Sequence, residues 1–163
     1  MTTQATNAET TQETTQGFSY ARLQQEHAAA TAALGQFGKA IKDSGLSPQL
    51  TELVKVRASQ KNGCAFCLQF HVNLARSLNV PQAQLDQLAT WQESPLFSAA
   101  EKAALAWTEA LTSTPALPDP ALMPRLREHF SEADCVNLTL AIAHINAWNR
   151  IAGPLGFTPP PAQ

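Results

Sequence analysis

The stretch "NGCAFCLQFH", residues 62–71, places Cys64, Cys67 and His71 within eight positions. A Cys-x-x-Cys pair can cycle between dithiol and disulfide, ligate a metal, or fill a core as two small apolar residues. A histidine four residues after a cysteine is its neighbour on a helix face and can accept the thiol proton.

Projected at about 100° per residue, Cys67 lies about 60° and His71 about 20° from Cys64. Leu68, Ala75 and Leu78 fall on the same face. The trio therefore shares an apolar stripe, screened from bulk water. The helix N-terminus, the CxxC placement and the nearby imidazole all favour a thiolate. Burial opposes them, because it penalises the charged form. The helix dipole favours Cys64 as the more acidic thiol and the histidine spacing favours Cys67, so the residues alone leave the choice open. Side chains at i and i+3 stand about 5–6 Å apart at Cβ, against about 3.5–4.5 Å in a disulfide. Closing the bond would tighten the first turn and store strain, which suits a bond made and broken in a cycle.

Other uses of the trio fit less well. Haem attachment needs histidine directly after the second cysteine, where this chain has Leu68. A zinc site needs further ligands, and His27, His129, His144 and Cys135 show no ligand spacing to the trio. Thiol redox is the preferred reading, with no metal and no cofactor expected.

The elements that must position these residues read as helices throughout. Residues 1–16 are rich in Thr and Gln and have no large apolar side chain, which predicts a disordered tail. A helix is expected over about residues 19–43, ending near Gly45. Ser47 and Pro48 open a second, which stops at Asn62-Gly63. A third runs from about Cys64 to Leu78, and Pro81 opens a fourth to about Trp91. Ser98 and Glu101 have capping-box spacing ahead of a helix that reaches Thr112. Pro115, Pro118 and Pro120 mark a loop, a short helix follows to about Phe130, and Ser131 and Asp134 open a long apolar one. The expectation is an all-α single domain over residues 17–163, with about six to seven helices.

Bulk composition narrows the partners. The chain has 163 residues, 44 % apolar and only 15 % charged, with net charge −2. So little charge predicts a buried subunit interface, hence a homo-oligomer. No basic block points to nucleic acid or an anionic membrane. No apolar run is long enough for a membrane span, and the start lacks the order of a secretory signal. A cytoplasmic protein is expected, and three cysteines are too few for a disulfide scaffold.

The segment Glu52–Val80 resembles the core of the alkylhydroperoxidase AhpD-like branch of the carboxymuconolactone decarboxylase superfamily. The similarity extends through Trp91–Thr112 and Val136–Arg150. Its most specific element is Glu52, eleven intervening residues, then Cys64-x-x-Cys67-x-x-x-His71. The resemblance implies an all-helical oligomer, a trimer or hexamer, acting as a peroxiredoxin-type peroxidase or disulfide oxidoreductase. It implies that Cys67 attacks a small hydroperoxide, His71 serves the proton transfer, Cys64 resolves the sulfenic acid, and Glu52 joins the relay around the first cysteine. It also implies re-reduction by an external dithiol or a lipoylated protein. One position departs from the pattern. Some active members carry histidine just before the second cysteine, where this chain has Phe66, so the implied relay is the shorter one through His71 and Glu52. The superfamily's decarboxylases act on a lactone acid without this cysteine pair. The alternative is a metal-binding or structural oligomeric module whose trio is not catalytic.

The remaining residues have plainer readings. Glu52, apart from the resemblance, reads as a solvated helix glutamate. Lys55 and Arg57 read as snorkelling cations, with supply of positive potential near the thiols as the second option. His144, Asn146, Asn149 and Arg150 interrupt an apolar helix and need partners, across helices or subunits by preference, with substrate binding as the second reading. Trp91, Trp107 and Trp148 read as core or interface, and Cys135 as a buried small hydrophobe.

Overall fold

Helix α3 (Pro48–Asn62) runs through the middle of the molecule, and the sequence sets both its ends. The Ser47 hydroxyl accepts the Leu50 N–H at 3.3 Å, and Pro48 stands in the first turn, where its missing N–H costs nothing. Gly63 closes the helix in the left-handed region, φ +66°, a conformation that favours glycine. Three sides of α3 are buried. Leu50 and Val54 pack with Leu126, Leu138 and Ile142; Leu53 and Val56 pack with Ala75, Leu88 and Leu105; Ala58 packs with Cys64, Cys67 and Ile145. A helix surrounded by core needs no single apolar stripe. Each such leucine or valine contributes about 1.5–3 kcal/mol by leaving water.

The structure, a computed structural model, describes residues 18–163, and the tail expected over residues 1–16 lies outside them. Helices α1 (Tyr20–Glu26) and α2 (Ala28–Lys42) precede α3. After it come α4 (Ala65–Ser77), α5 (Gln82–Gln87), a 3-10 turn over Leu88–Thr90, α6 (Ala99–Thr112), α7 (Leu122–Arg127) and α8 (Glu132–Ala152). The described residues contain no strand. The all-α expectation holds, with eight α-helices among the described residues against the six to seven expected.

The added helix comes from His27. Its φ of −127° and ψ of 44° break the single helix expected over residues 19–43. The break lets α1 turn Tyr20 and Leu23 onto the cluster around Phe66, Trp148 and Phe157, while α2 lies along α8. Gly38 allows that approach: a Cβ there would stand 3.0 Å from His144 Cε1. The helix expected from Pro81 to Trp91 is α5 followed by the 3-10 turn. The capping box of Ser98 and Glu101 is fully formed, and Ser131 caps α8 by accepting the Asp134 N–H at 3.1 Å. No described helix is long and apolar enough to cross a membrane.

Candidate active site

The left-handed Gly63 reverses the chain so that α4 returns antiparallel to α3, with Cys64 as its N-cap. The Cys64 sulfur accepts the Cys67 N–H at 3.3 Å, as an N-cap oxygen would. Both thiols are free and buried, each 2 % exposed. They differ in what they face. Cys67 lines a cavity of about 500 Å³, and Cys64 lies behind it, packed with Ala58, Ile145 and Phe157. Access therefore favours Cys67 as the thiol that meets a ligand, where the helix dipole favoured Cys64.

Cys67 rests as a thiol. Burial pushes its pKa up, and the hydrogen bond with Cys64 adds to the rise. An amide N–H from Asn149 opposes both but does not outweigh them. Of the effects weighed from the sequence, burial wins, and a base is needed to ionise Cys67.

The antiparallel pairing of α3 and α4 brings Glu52 to His71. Glu52 Oε2 lies 2.7 Å from His71 Nδ1, and Glu52 Oε1 accepts the Lys55 ammonium at 2.8 Å. The carboxylate can only accept, so Nδ1 carries the hydrogen and the lone pair of a neutral ring sits on Nε2. Glu52, His71 and Lys55 all border the same cavity as Cys67. Burial by itself would raise the Glu52 pKa, but the hydrogen bond and charge of His71, with those of Lys55, hold it below the ordinary carboxylate value. Neither cysteine is a hydrogen-bond partner of Glu52 or His71 among the described residues.

The cavity walls are mainly apolar. Tyr20 from α1, Phe66, Phe70 and Leu74 from α4, and Trp148 from α8 line it. Phe66 packs against Tyr20, Phe70 and Phe157, at centroid separations of 5.7, 6.2 and 5.4 Å. The residue between the cysteines thus belongs to an aromatic cluster. His144 is also in the wall, its Nε2 3.0 Å from the Leu34 carbonyl oxygen and 3.1 Å from Trp148 Nε1. Burial lowers its pKa against the opposing pull of the Leu34 carbonyl.

Asn146 and Asn149 of α8 find partners across helices. Asn62 donates to Asn146 and Asn149 at 2.7 and 2.8 Å, and Asn149 donates to Ser59 at 3.1 Å. Arg150 bonds Asn146 within α8. Arg57 pairs with Glu109 at 2.7 Å and does not line the cavity, and Trp91 donates to the same carboxylate at 2.7 Å. Trp107 donates to Thr139 at 3.0 Å. Cys135 is 3 % exposed and belongs to the core. No group of three or more His, Cys, Asp or Glu is placed to hold a metal among the described residues.

Two roles escaped the sequence reading. Lys55 does not snorkel to solvent but pairs with Glu52 at the cavity that Cys67 lines, and its i,i+3 spacing is the signal for that pair. Asn149 meets Asn62 and Ser59 across helices, and the downward pull of its amide on the Cys67 pKa needs the fold, because 82 residues separate the two.

The sequence profile of the carboxymuconolactone decarboxylase family matches residues 25–110. An uncharacterised protein of Bacillus subtilis, YdfG, is 41 % identical over 120 residues, which span 72 % of this chain and 81 % of that one. The crystal structure of ATU0492 from Agrobacterium tumefaciens, a protein of unknown function provisionally called antioxidant defence protein AhpD, superposes with a TM-score of 0.81. It is 33 % identical, and the match covers 85 % of this chain and 95 % of that one. The alkylhydroperoxidase AhpD core of an uncharacterised peroxidase-related protein from Ralstonia eutropha shares the fold, with a TM-score of 0.75 at 23 % identity over 84 % of this chain and 74 % of that one.

Proposed function

Since the chain belongs to the carboxymuconolactone decarboxylase family and is AhpD-like, we propose that it is a thiol peroxidase and disulfide oxidoreductase working through Cys67, Cys64, His71 and Glu52. The observation that carries this reading is the division between the two thiols. Cys67 shares a cavity with the His71–Glu52 pair, and Cys64 waits behind it, out of the cavity.

The steps follow from that division. His71 Nε2 takes the Cys67 proton, and Glu52 stabilises the imidazolium through Nδ1. The thiolate attacks the terminal peroxide oxygen, the O–O bond breaks, and the leaving alkoxide takes the proton back from His71. The products are an alcohol and a Cys67 sulfenic acid. The Cys64 thiol condenses with it, forming the disulfide and releasing water. An external dithiol, free or carried as lipoyl on a partner protein, then reduces the disulfide by two electrons and becomes oxidised itself. The chain assembles as a homo-oligomer, as its low charge fraction suggests.

Peroxide consumption with a dithiol donor tests this cycle. Cys67→Ser abolishes turnover, and Cys64→Ser stops after one equivalent of peroxide per chain. Two variants with wild-type turnover would overturn it.

A further inference from the structure

We propose that the cavity beside Cys67 binds an amphipathic carboxylate, a long-chain fatty-acid-type hydroperoxide, and that Lys42 holds its carboxylate at the end remote from the thiol. The substrate class rests on the peroxidase reading; the carboxylate site does not.

The cavity is long. It follows α4 from Cys67 to Leu78, eleven residues or about 16 Å at the helical rise. Because α3 runs antiparallel to α4 and Glu52 meets His71 midway, Pro48 lies toward the Leu78 end. Lys42 and Leu46, just before Pro48 in the chain, line that end as well. Hydrogen peroxide has no use for such a length of apolar wall. Phe70 and Leu74, one turn apart on α4, are still 40 % and 38 % exposed and offer surface for an acyl chain to cover.

The charges are arranged to match. Glu52 and Lys55 border the cavity and neutralise each other. Lys42 is the remaining charged residue of the lining, and no carboxylate pairs with it among the described residues. Lys39, one turn earlier on α2, is paired with Asp43 and lies outside the cavity. An unpaired cation at one end of an apolar trough, with a thiol at the other, selects an anionic head and an oxidised tail. The hydroperoxide is reduced at Cys67 to the hydroxy acid, and the carboxylate stays unchanged on Lys42.

Calorimetric titration with dodecanoate and with dodecanol tests the site without any turnover. The full chain should bind dodecanoate at least tenfold more tightly than dodecanol. Lys42→Glu should remove that preference, and Lys39→Ala should keep it. Equal affinity for acid and alcohol, or equal losses in the two lysine variants, would overturn the site. A kinetic arm compares a fatty-acid hydroperoxide with its methyl ester, where the acid should be favoured about tenfold in kcat/KM. If dodecanoate binds through Lys42 but no hydroperoxide is turned over, the peroxidase reading fails and the carboxylate site stands. If tert-butyl hydroperoxide is turned over with no preference for acid over ester or alcohol, the site fails and the peroxidase reading stands.

Discussion

Glu52 and His71, nineteen residues apart and on different helices, meet at 2.7 Å on the edge of the cavity that holds Cys67. The contact fixes which ring nitrogen carries hydrogen and leaves the lone pair of the neutral ring on Nε2. Lys55 completes the arrangement by binding the second carboxylate oxygen at 2.8 Å.

Glu52→Gln weakens the hold on His71 and leaves the Lys55 ammonium, 16 % exposed, without its counter-charge. Peroxide turnover should fall about 10²-fold. Unfolding free energy at neutral pH should fall by about 3 kcal/mol. The sign with pH follows from Glu52's lowered pKa. The unfolded chain binds the proton more readily, so this stability is fully present above the unfolded-state value and is lost as pH falls through the folded one. Denaturant titrations should therefore show wild type and variant converging in acid. A gap that persists there would contradict the argument.

Lys55→Met keeps most of the packing and removes one of the influences that lower the Glu52 pKa. Burial then counts for more, and the carboxyl titrates at higher pH. The acid limb of the kcat/KM profile should move upward. An unmoved limb would reduce Lys55 to a structural role.

Cys64→Ala removes a hydrogen bond that raises the Cys67 pKa. Alkylation of Cys67, followed by peptide mass analysis, should become faster at mildly alkaline pH than in wild type. A slower reaction would mean that Cys64 assists ionisation of Cys67 rather than hindering it.

Phe66→His introduces a proton carrier at the cavity wall, in the sequence between the two cysteines. It also removes a phenyl ring from contacts with Tyr20, Phe70 and Phe157. Peroxide reduction near neutral pH should rise several-fold, while stability falls by about 1–2 kcal/mol. A rate no higher than wild type would show that the relay through His71 is sufficient alone.

Helix type and most helix ends were legible because they rest on local chemistry: Ser47 with Pro48, Gly63, Ser98 with Glu101, and Ser131. The break at His27 was not, because packing of α1 and α2 on different partners causes it, not a breaker residue. Helical period places Cys67 and His71 one turn apart, and both border the cavity; Cys64, the extended N-cap of α4, lies outside it, so the face expected for all three holds only two of them. Glu52 came from the resemblance, and its pairing with His71 needed the antiparallel return of α4. Which thiol faces the ligand depended on the cavity, and its walls come from α1, α2, α3, α4 and α8. Local spacing carries no information of that kind.

The central claim is that Cys67 and Cys64 form one peroxide-driven redox pair, and thiol counting tests it most directly. One equivalent of hydroperoxide should remove two thiols per chain, mapped to Cys64 and Cys67, leave Cys135 free, and be reversed by a dithiol. Thiols that survive stoichiometric peroxide, or a loss that proceeds equally in Cys67→Ser, would contradict it.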